Sequence, residues 1–145
     1  MQSLEPLGRR AYPYLQPITT RWSDNDVYGH VNNVVYFSFF DTAVNQYLIA
    51  QGALDIHRGE VIGLVVENAC RYFRSLQFPD RVVAGIQVQH LGHTSVIYRI
   101  GLFRDEEQAP AAQGRFVHVY VGRGSRKPVA LPAQLRSALA PLVRE

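Results

Sequence analysis

One cysteine, Cys70, is all the chain has. That excludes an internal disulfide framework and any zinc cluster built on several thiolates. His57, His90 and His118 are scattered without metal-ligand spacing, so no metal site is expected. Neither a phosphate-cradling P-loop nor a G-x-G-x-x-G fingerprint is present. No long Lys/Arg run, RNP-like segment or basic helix appears, so nucleic acid is not an expected partner. No apolar run approaches the roughly 18 residues that span a bilayer. Residues 1–17 carry Glu5, Arg9 and Arg10 but no apolar stretch of signal-peptide type, so a cytoplasmic location is expected.

What is present describes a folded domain. The chain has 145 residues, of which 47% are hydrophobic and 19% charged, enough to bury a sizeable core and too apolar for a disordered chain. The net charge of +3 suits an anionic partner such as a nucleotide or phosphate group, and equally an ordinary soluble surface.

The hydrophobic pattern gives the order of elements. Residues 1–16 read as an irregular arm and Ile18 to Trp22 as a short β-branched strand. Ser23 to Asn33 is a polar loop containing Gly29. Val34 to Gln51 repeats apolar residues at helical spacing (Val35, Phe39, Ala43, Tyr47, Ala50), and Phe40, Val44 and Leu48 widen the stripe until it almost surrounds the helix. Gly52 ends it. Val61 to Ser75, Arg81 to Leu91, Thr94 to Arg104 and Arg115 to Gly122 read as strands, and Pro132 opens a short helix with Leu135, Leu139 and Leu142 on one side. One helix against one antiparallel sheet is an α+β arrangement with an exposed edge.

Chemistry concentrates in Arg21-Trp22-Ser23-Asp24-Asn25-Asp26-Val27-Tyr28-Gly29-His30-Val31-Asn32-Asn33. Two carboxylates, a glycine, a histidine and two asparagines stand directly before the apolar helix. Free N–H groups and the helix dipole at such a start stabilise developing negative charge. Read as chemistry, Asp26 is a nucleophile or a general base; read as structure, it caps a turn.

This element order and the segment Asp24-x-Asp26-x-x-Gly29-His30-Val31-Asn32-Asn33-x-x-Tyr36 together resemble the hotdog-fold acyl-CoA thioesterases, in particular the 4-hydroxybenzoyl-CoA thioesterase-like group. The resemblance spans about residues 15–140 and is echoed by Glu67-Asn68-Ala69-Cys70-Arg71-Tyr72, Phe78-Pro79-Asp80 and Leu91-Gly92-His93-Thr94-Ser95. It implies a single hotdog domain over residues 1–145, with a five-stranded antiparallel sheet wrapped around a long central helix. It implies hydrolysis of an acyl-CoA thioester to a free acid and coenzyme A, without a cofactor. The essential acidic residue falls on Asp26, and the N–H that polarises the thioester carbonyl falls on Asn33. His30 is expected either to orient the thioester or Asp26, or to be a buried hydrogen-bonding histidine.

Other residues carry further expectations. Gly29 fits a position where a side chain obstructs the thioester or the turn, and Tyr36 packs in the core with its hydroxyl satisfied. Asp24 and Asp41 read as structural. Glu67, a carboxylate in an apolar strand, either assists water or pairs with Arg71 or an asparagine. Arg71, Arg74, Arg123, Ser125, Arg126 and Lys127 are candidates for the phosphates of coenzyme A. Phe37, Phe40, Tyr47 and Val65 are candidates to line the acyl channel. Thioesters carried by acyl carrier protein are the alternative substrate, and a non-catalytic acyl-CoA-binding protein is the alternative class. The long strands Arg81 to Leu91 and Thr94 to Arg104 carry few charges that block an edge, so a homodimer, or a homotetramer made of two, is expected.

Overall fold

The computed structural model describes residues 5–55 and 57–144. Five strands form one antiparallel sheet: β1 (Tyr14–Ile18), β2 (Val61–Tyr72), β3 (Val82–Leu91), β4 (Ser95–Arg104) and β5 (Ala112–Gly122). Their order across the sheet is β1-β3-β4-β5-β2. Two helices accompany it, α1 (Asn33–Ala50) and α2 (Ala133–Leu139).

Local chemistry sets the ends of α1. The Asn32 side-chain oxygen accepts from Val34 N at 3.3 Å, an N-cap. At the other end Gly52 takes a φ of +62°, its N–H donates to Ile49 O, and the Ala53 N–H donates to Leu48 O. This is a Schellman stop, which a glycine enters without steric cost. Between the caps, Tyr36, Phe39, Phe40, Ala43, Val44, Tyr47 and Leu48 are buried at helical spacing. The apolar stripe is narrower than expected: Ala50, expected in it, is exposed, and the flanking Val34 and Ile49 stand more than half exposed. At Gly114 a Cβ would lie 2.3 Å from the Phe40 ring, so only glycine in β5 lets that ring reach the sheet.

The expected strand at Ile18 to Trp22 lies earlier. β1 begins at Tyr14, while Trp22–Asp24 form a 3₁₀ turn closed by Asp24. The arm is accordingly shorter and more structured than expected: Arg9–Ala11 form a 3₁₀ turn, and Tyr12 is buried over Gly85, Gly101 and Phe103. Its first four residues lie outside the described ones. β5 starts at Ala112, three residues before the expected Arg115, because it pairs with β2 along the whole length of that strand.

The expected edge also moves. Arg81 to Leu91 and Thr94 to Arg104 become β3 and β4, interior strands with partners on both sides. The edges are β1 and β2. β2 carries a bulge at Val66 and leaves Leu64, Val65 and Val66 exposed. Sequence alternation marks a strand but not its place in the sheet; strand order depends on long-range pairing. The core lies between the sheet and α1, closed at one end by Leu135, Leu139 and Leu142. Among the described residues no helix is long and apolar enough to cross a membrane.

Candidate functional site

The loop before α1 is a tightly bonded hairpin-like turn. Asp26 N donates to His30 O at 2.8 Å, and Gly29 N donates to Asp26 O at 3.1 Å. One carboxylate oxygen of Asp26, Oδ1, accepts from Tyr28 N at 2.9 Å and His30 N at 3.4 Å. Oδ1 thus shapes the turn, the structural role expected of this side chain, and no bond to Oδ2 is found among the described residues. Gly29 holds a φ of +81°, and a Cβ there would have no neighbour within 4 Å. Backbone conformation, rather than crowding, demands glycine there.

Neighbouring segments pin this loop. Asp24 is buried and bonded by its own upstream residue: Arg21 N donates to Oδ2 at 2.8 Å, and the guanidinium binds Oδ1. Its backbone oxygen accepts from Asn32 N. Asn25 Oδ1 accepts from Phe78 N at 3.0 Å, and Val31 N donates to Leu76 O at 2.7 Å. The Tyr36 hydroxyl accepts from Leu76 N, and burial raises its pKa. The loop is thus tied to the segment leaving β2, which supplies the other wall of an open groove.

That groove is lined by Asp26, His30, Asn33, Tyr36, Tyr72 and Arg74, with Val31, Phe73 and Ser75. Five of the expected site residues meet here. Among the described residues none accepts the Asn33 N–H, the free donor expected at a helix start. The Asn33 carbonyl accepts from the Tyr72 hydroxyl at 3.3 Å, and the Tyr72 ring stands edge-on to Tyr36. His30 is exposed, not buried, because the loop needs only its backbone. Tyr72, Phe73 and Ser75 were not anticipated: they follow an ordinary strand pattern, and only its pairing to β5 brings that end to the loop.

Of the other candidates, Glu67, Arg71 and residues 123–127 lie away from the groove. Glu67 is ion-paired with Arg115 of β5 and does not line the groove. Arg74 lines the groove and also pairs with Glu107 at 2.8 Å. Arg71 stands exposed in β2 opposite Gln113. Arg123 donates to Gly59 O, the Ser125 hydroxyl accepts from Lys127 N, and Arg126 adopts a φ of +60°. Residues 123–127 form the turn after β5, beside the start of β2. The groove lies beyond the far end of that strand. The 12 residues of β2 separate them by about 36 Å at strand rise.

A second pocket lies further along α1. Asp41, Asn45, Leu48, Val65 and His118 line it. Of the expected channel residues only Val65 takes part. Phe40 is wholly buried, Phe37 packs on Phe40, and the Tyr47 hydroxyl is bonded to Ala138 O at 2.5 Å. Among the described residues no group of three His, Cys, Asp or Glu is placed to hold a metal ion.

Residues 20–139 match the thioesterase-like superfamily. The chain is 54% identical to the PA5185 protein of Pseudomonas aeruginosa strain PAO1, whose crystal structure superposes with a TM-score of 0.95 over 97% of this chain and 99% of that one. A thioesterase of Thermus thermophilus, solved with coenzyme A and zinc, is 27% identical over 91% of this chain and 95% of its own, with a TM-score of 0.73. The 1,4-dihydroxy-2-naphthoyl-CoA thioesterase Slr0204 of Synechocystis, 17% identical, shares the fold at a TM-score of 0.79 over 88% of this chain and 95% of its own.

Proposed function

The chain belongs to the thioesterase-like superfamily and is a thioester hydrolase of the hotdog fold, and from that premise we propose that it hydrolyses an acyl-CoA thioester to free acid and coenzyme A. The observation that carries the reading is the groove in which the Asp26 carboxylate and the free N–H of Asn33 face one space. The thioester carbonyl sits against the start of α1. The Asn33 N–H and the helix dipole bind the oxyanion as the carbonyl carbon becomes tetrahedral. Asp26 Oδ2 either attacks that carbon, giving a mixed anhydride that water then opens, or takes a proton from attacking water. The coenzyme A thiolate leaves in both routes. His30, Gly29 and Tyr36 shape the mouth of the groove. Glu67 has a place in this scheme only if its bond to Arg115 opens. The reading takes residues 1–145 as one domain, α1 as the central helix with the sheet wrapped round it, and the cytoplasm as the location.

The reading includes a homodimer. β2 is the apolar edge, and two copies pairing through β2 about a two-fold axis run antiparallel. The start of one β2 then lies beside the end of the other. The Arg123–Lys127 turn, far from the groove of its own protomer, comes next to the partner's groove, where it can meet the nucleotide phosphates with Arg71 and Arg74. A tetramer is two such dimers.

The test is thiol release across a panel of acyl-CoAs and matched acyl-carrier-protein thioesters. Turnover on the CoA series with little on the carrier series supports the reading. Preference for the carrier series moves the substrate to acyl carrier protein. Intact acyl-CoA retained for hours defeats hydrolysis altogether.

A further inference from the structure

Glu107 lies in the connection between β4 and β5 and does not line the groove, yet it holds a residue that does. One carboxylate oxygen, Oε1, accepts from Arg74 Nη1 at 2.8 Å. The other, Oε2, accepts from Arg104 Nε at 3.0 Å and Nη2 at 2.7 Å. Arg104 thus takes up Oε2 and leaves Oε1 to face Arg74. The two residues are 33 positions apart in the chain, so only the fold joins them. Among the described residues Glu107 is the one hydrogen-bond partner of the Arg74 guanidinium.

The carboxylate is itself fixed. Glu107 N donates to Arg104 O at 3.0 Å, and Glu107 O accepts from Arg9 Nη1 at 3.3 Å. Arg9 also donates from its backbone N to Gln108 O at 2.9 Å and from Nη1 to Asp105 O at 2.8 Å. Its guanidinium carbon lies 5.7 Å from the centre of the Phe103 ring. Residues ahead of β1 therefore clamp the backbone of the connection, while Arg104 holds the Glu107 side chain. The backbone of Arg74 is tied as well: Phe73 N and Arg74 N both donate to Ala111 O, at 2.8 and 3.0 Å. What is left to place is the Arg74 side chain, about half exposed.

Resting on the reading of the groove as an acyl-CoA site, we propose that Glu107 is a positioning residue: it braces the Arg74 guanidinium at the groove for the phosphates of coenzyme A, and so acts on substrate affinity and not on the chemical step. Three features carry the choice. Glu107 stands outside the groove, so it holds Arg74 without occupying the space a ligand needs. Two arginines share the one carboxylate, so the chain of charges stays positive at the groove, and Arg74 keeps its remaining N–H donors for a phosphate. An isolated exposed ion pair orders a side chain weakly, but a carboxylate held within a network of charges does more. A long side chain fixed beforehand loses less freedom when its ligand arrives.

The experiment is a double-mutant cycle on the full-length protein with Arg74→Ala, Glu107→Ala and the two combined. It reads calorimetric Kd for coenzyme A, and kcat and KM for an acyl-CoA beside the matching acyl-pantetheine thioester, which has no phosphate. Arg74→Ala should weaken coenzyme A about tenfold, as loss of a charged hydrogen bond predicts. Glu107→Ala should weaken it roughly threefold, the cost of ordering an unbraced side chain, and raise KM for the acyl-CoA likewise with kcat within about twofold. KM for the pantetheine thioester should not move. With Arg74 already removed, Glu107→Ala should have no further effect, and high salt should shrink the defect. Glu107→Gln, close in shape and still offering Arg74 an acceptor, should lose less than Glu107→Ala and gives the same reading if the alanine variant folds poorly. Equal effects of Glu107→Ala with and without Arg74, or on both thioesters, would mean that Glu107 only stabilises the β4–β5 connection and overturn the proposal, as would unchanged affinity. If no thioester turns over but coenzyme A binding still couples Glu107 to Arg74, the hydrolase reading fails and the positioning role stands.

Discussion

Glu67 and Arg115 form an ion pair across the β2–β5 ladder, joining the edge strand to its neighbour. The pairing accounts for a carboxylate in an otherwise apolar strand without giving it a chemical role. Glu67→Gln should therefore leave kcat within about twofold. It should cost at most about 1 kcal/mol in urea unfolding, because Glu67 is half exposed and solvent screens the pair. A loss of kcat near a hundredfold with unchanged stability would return Glu67 to the chemistry.

Asp26→Asn separates the two jobs of that side chain. The amide oxygen can still accept from Tyr28 N and His30 N, so the turn should persist. The oxygen needed for attack or proton transfer is lost, and kcat should fall at least about 10²-fold with KM and Tm nearly unchanged. Asp26→Ala should reduce both activity and Tm. Steady-state kinetics and thermal melts of the two variants read this directly, and near-normal turnover by Asp26→Asn would move the chemistry to another carboxylate.

Val66, exposed at the β2 bulge, tests the assembly. A lysine on an open edge opposes pairing with a second copy. Val66→Lys should shift light scattering from dimer toward monomer and reduce kcat/KM for CoA thioesters together with it. A fully active monomer at assay concentration, in the variant or the wild type, would remove the dimer from the reading.

His118 predicts acid lability. Burial lowers its folded pKa from 6.5 to about 4. The unfolded chain therefore binds this proton first. The stability due to neutral His118 is fully present above pH 6.5, is lost as pH falls, and is gone below about 4. A shift of that size corresponds to about 3 kcal/mol between those limits. Asp41 across the pocket and the hydroxyls of Tyr98 and Tyr120 are the other ionisable groups facing the ring region. Urea unfolding from pH 7 to pH 4 should show the loss, and His118→Phe should flatten it.

Much of this protein is written in local sequence. The Asn32 cap, the Gly52 stop, the buried positions of α1, the alternation of β3 and β4 and the turn from Asp26 to Asn33 depend on near neighbours, and local chemistry specifies them. The order β1-β3-β4-β5-β2 was not legible, because alternation is alike in edge and interior strands, and only long-range pairing made β2 the edge. The same pairing brought Tyr72 and Phe73 to the Asp26 groove, gave Glu67 to Arg115, and carried the 123–127 turn to the opposite end of the sheet. His118 is the plainest case. In sequence it is one of several scattered histidines; enclosed between α1 and β2, it becomes a neutral ring with one nitrogen unpaired among the described residues, because burial is a property of the assembled layers and not of the strand that carries it.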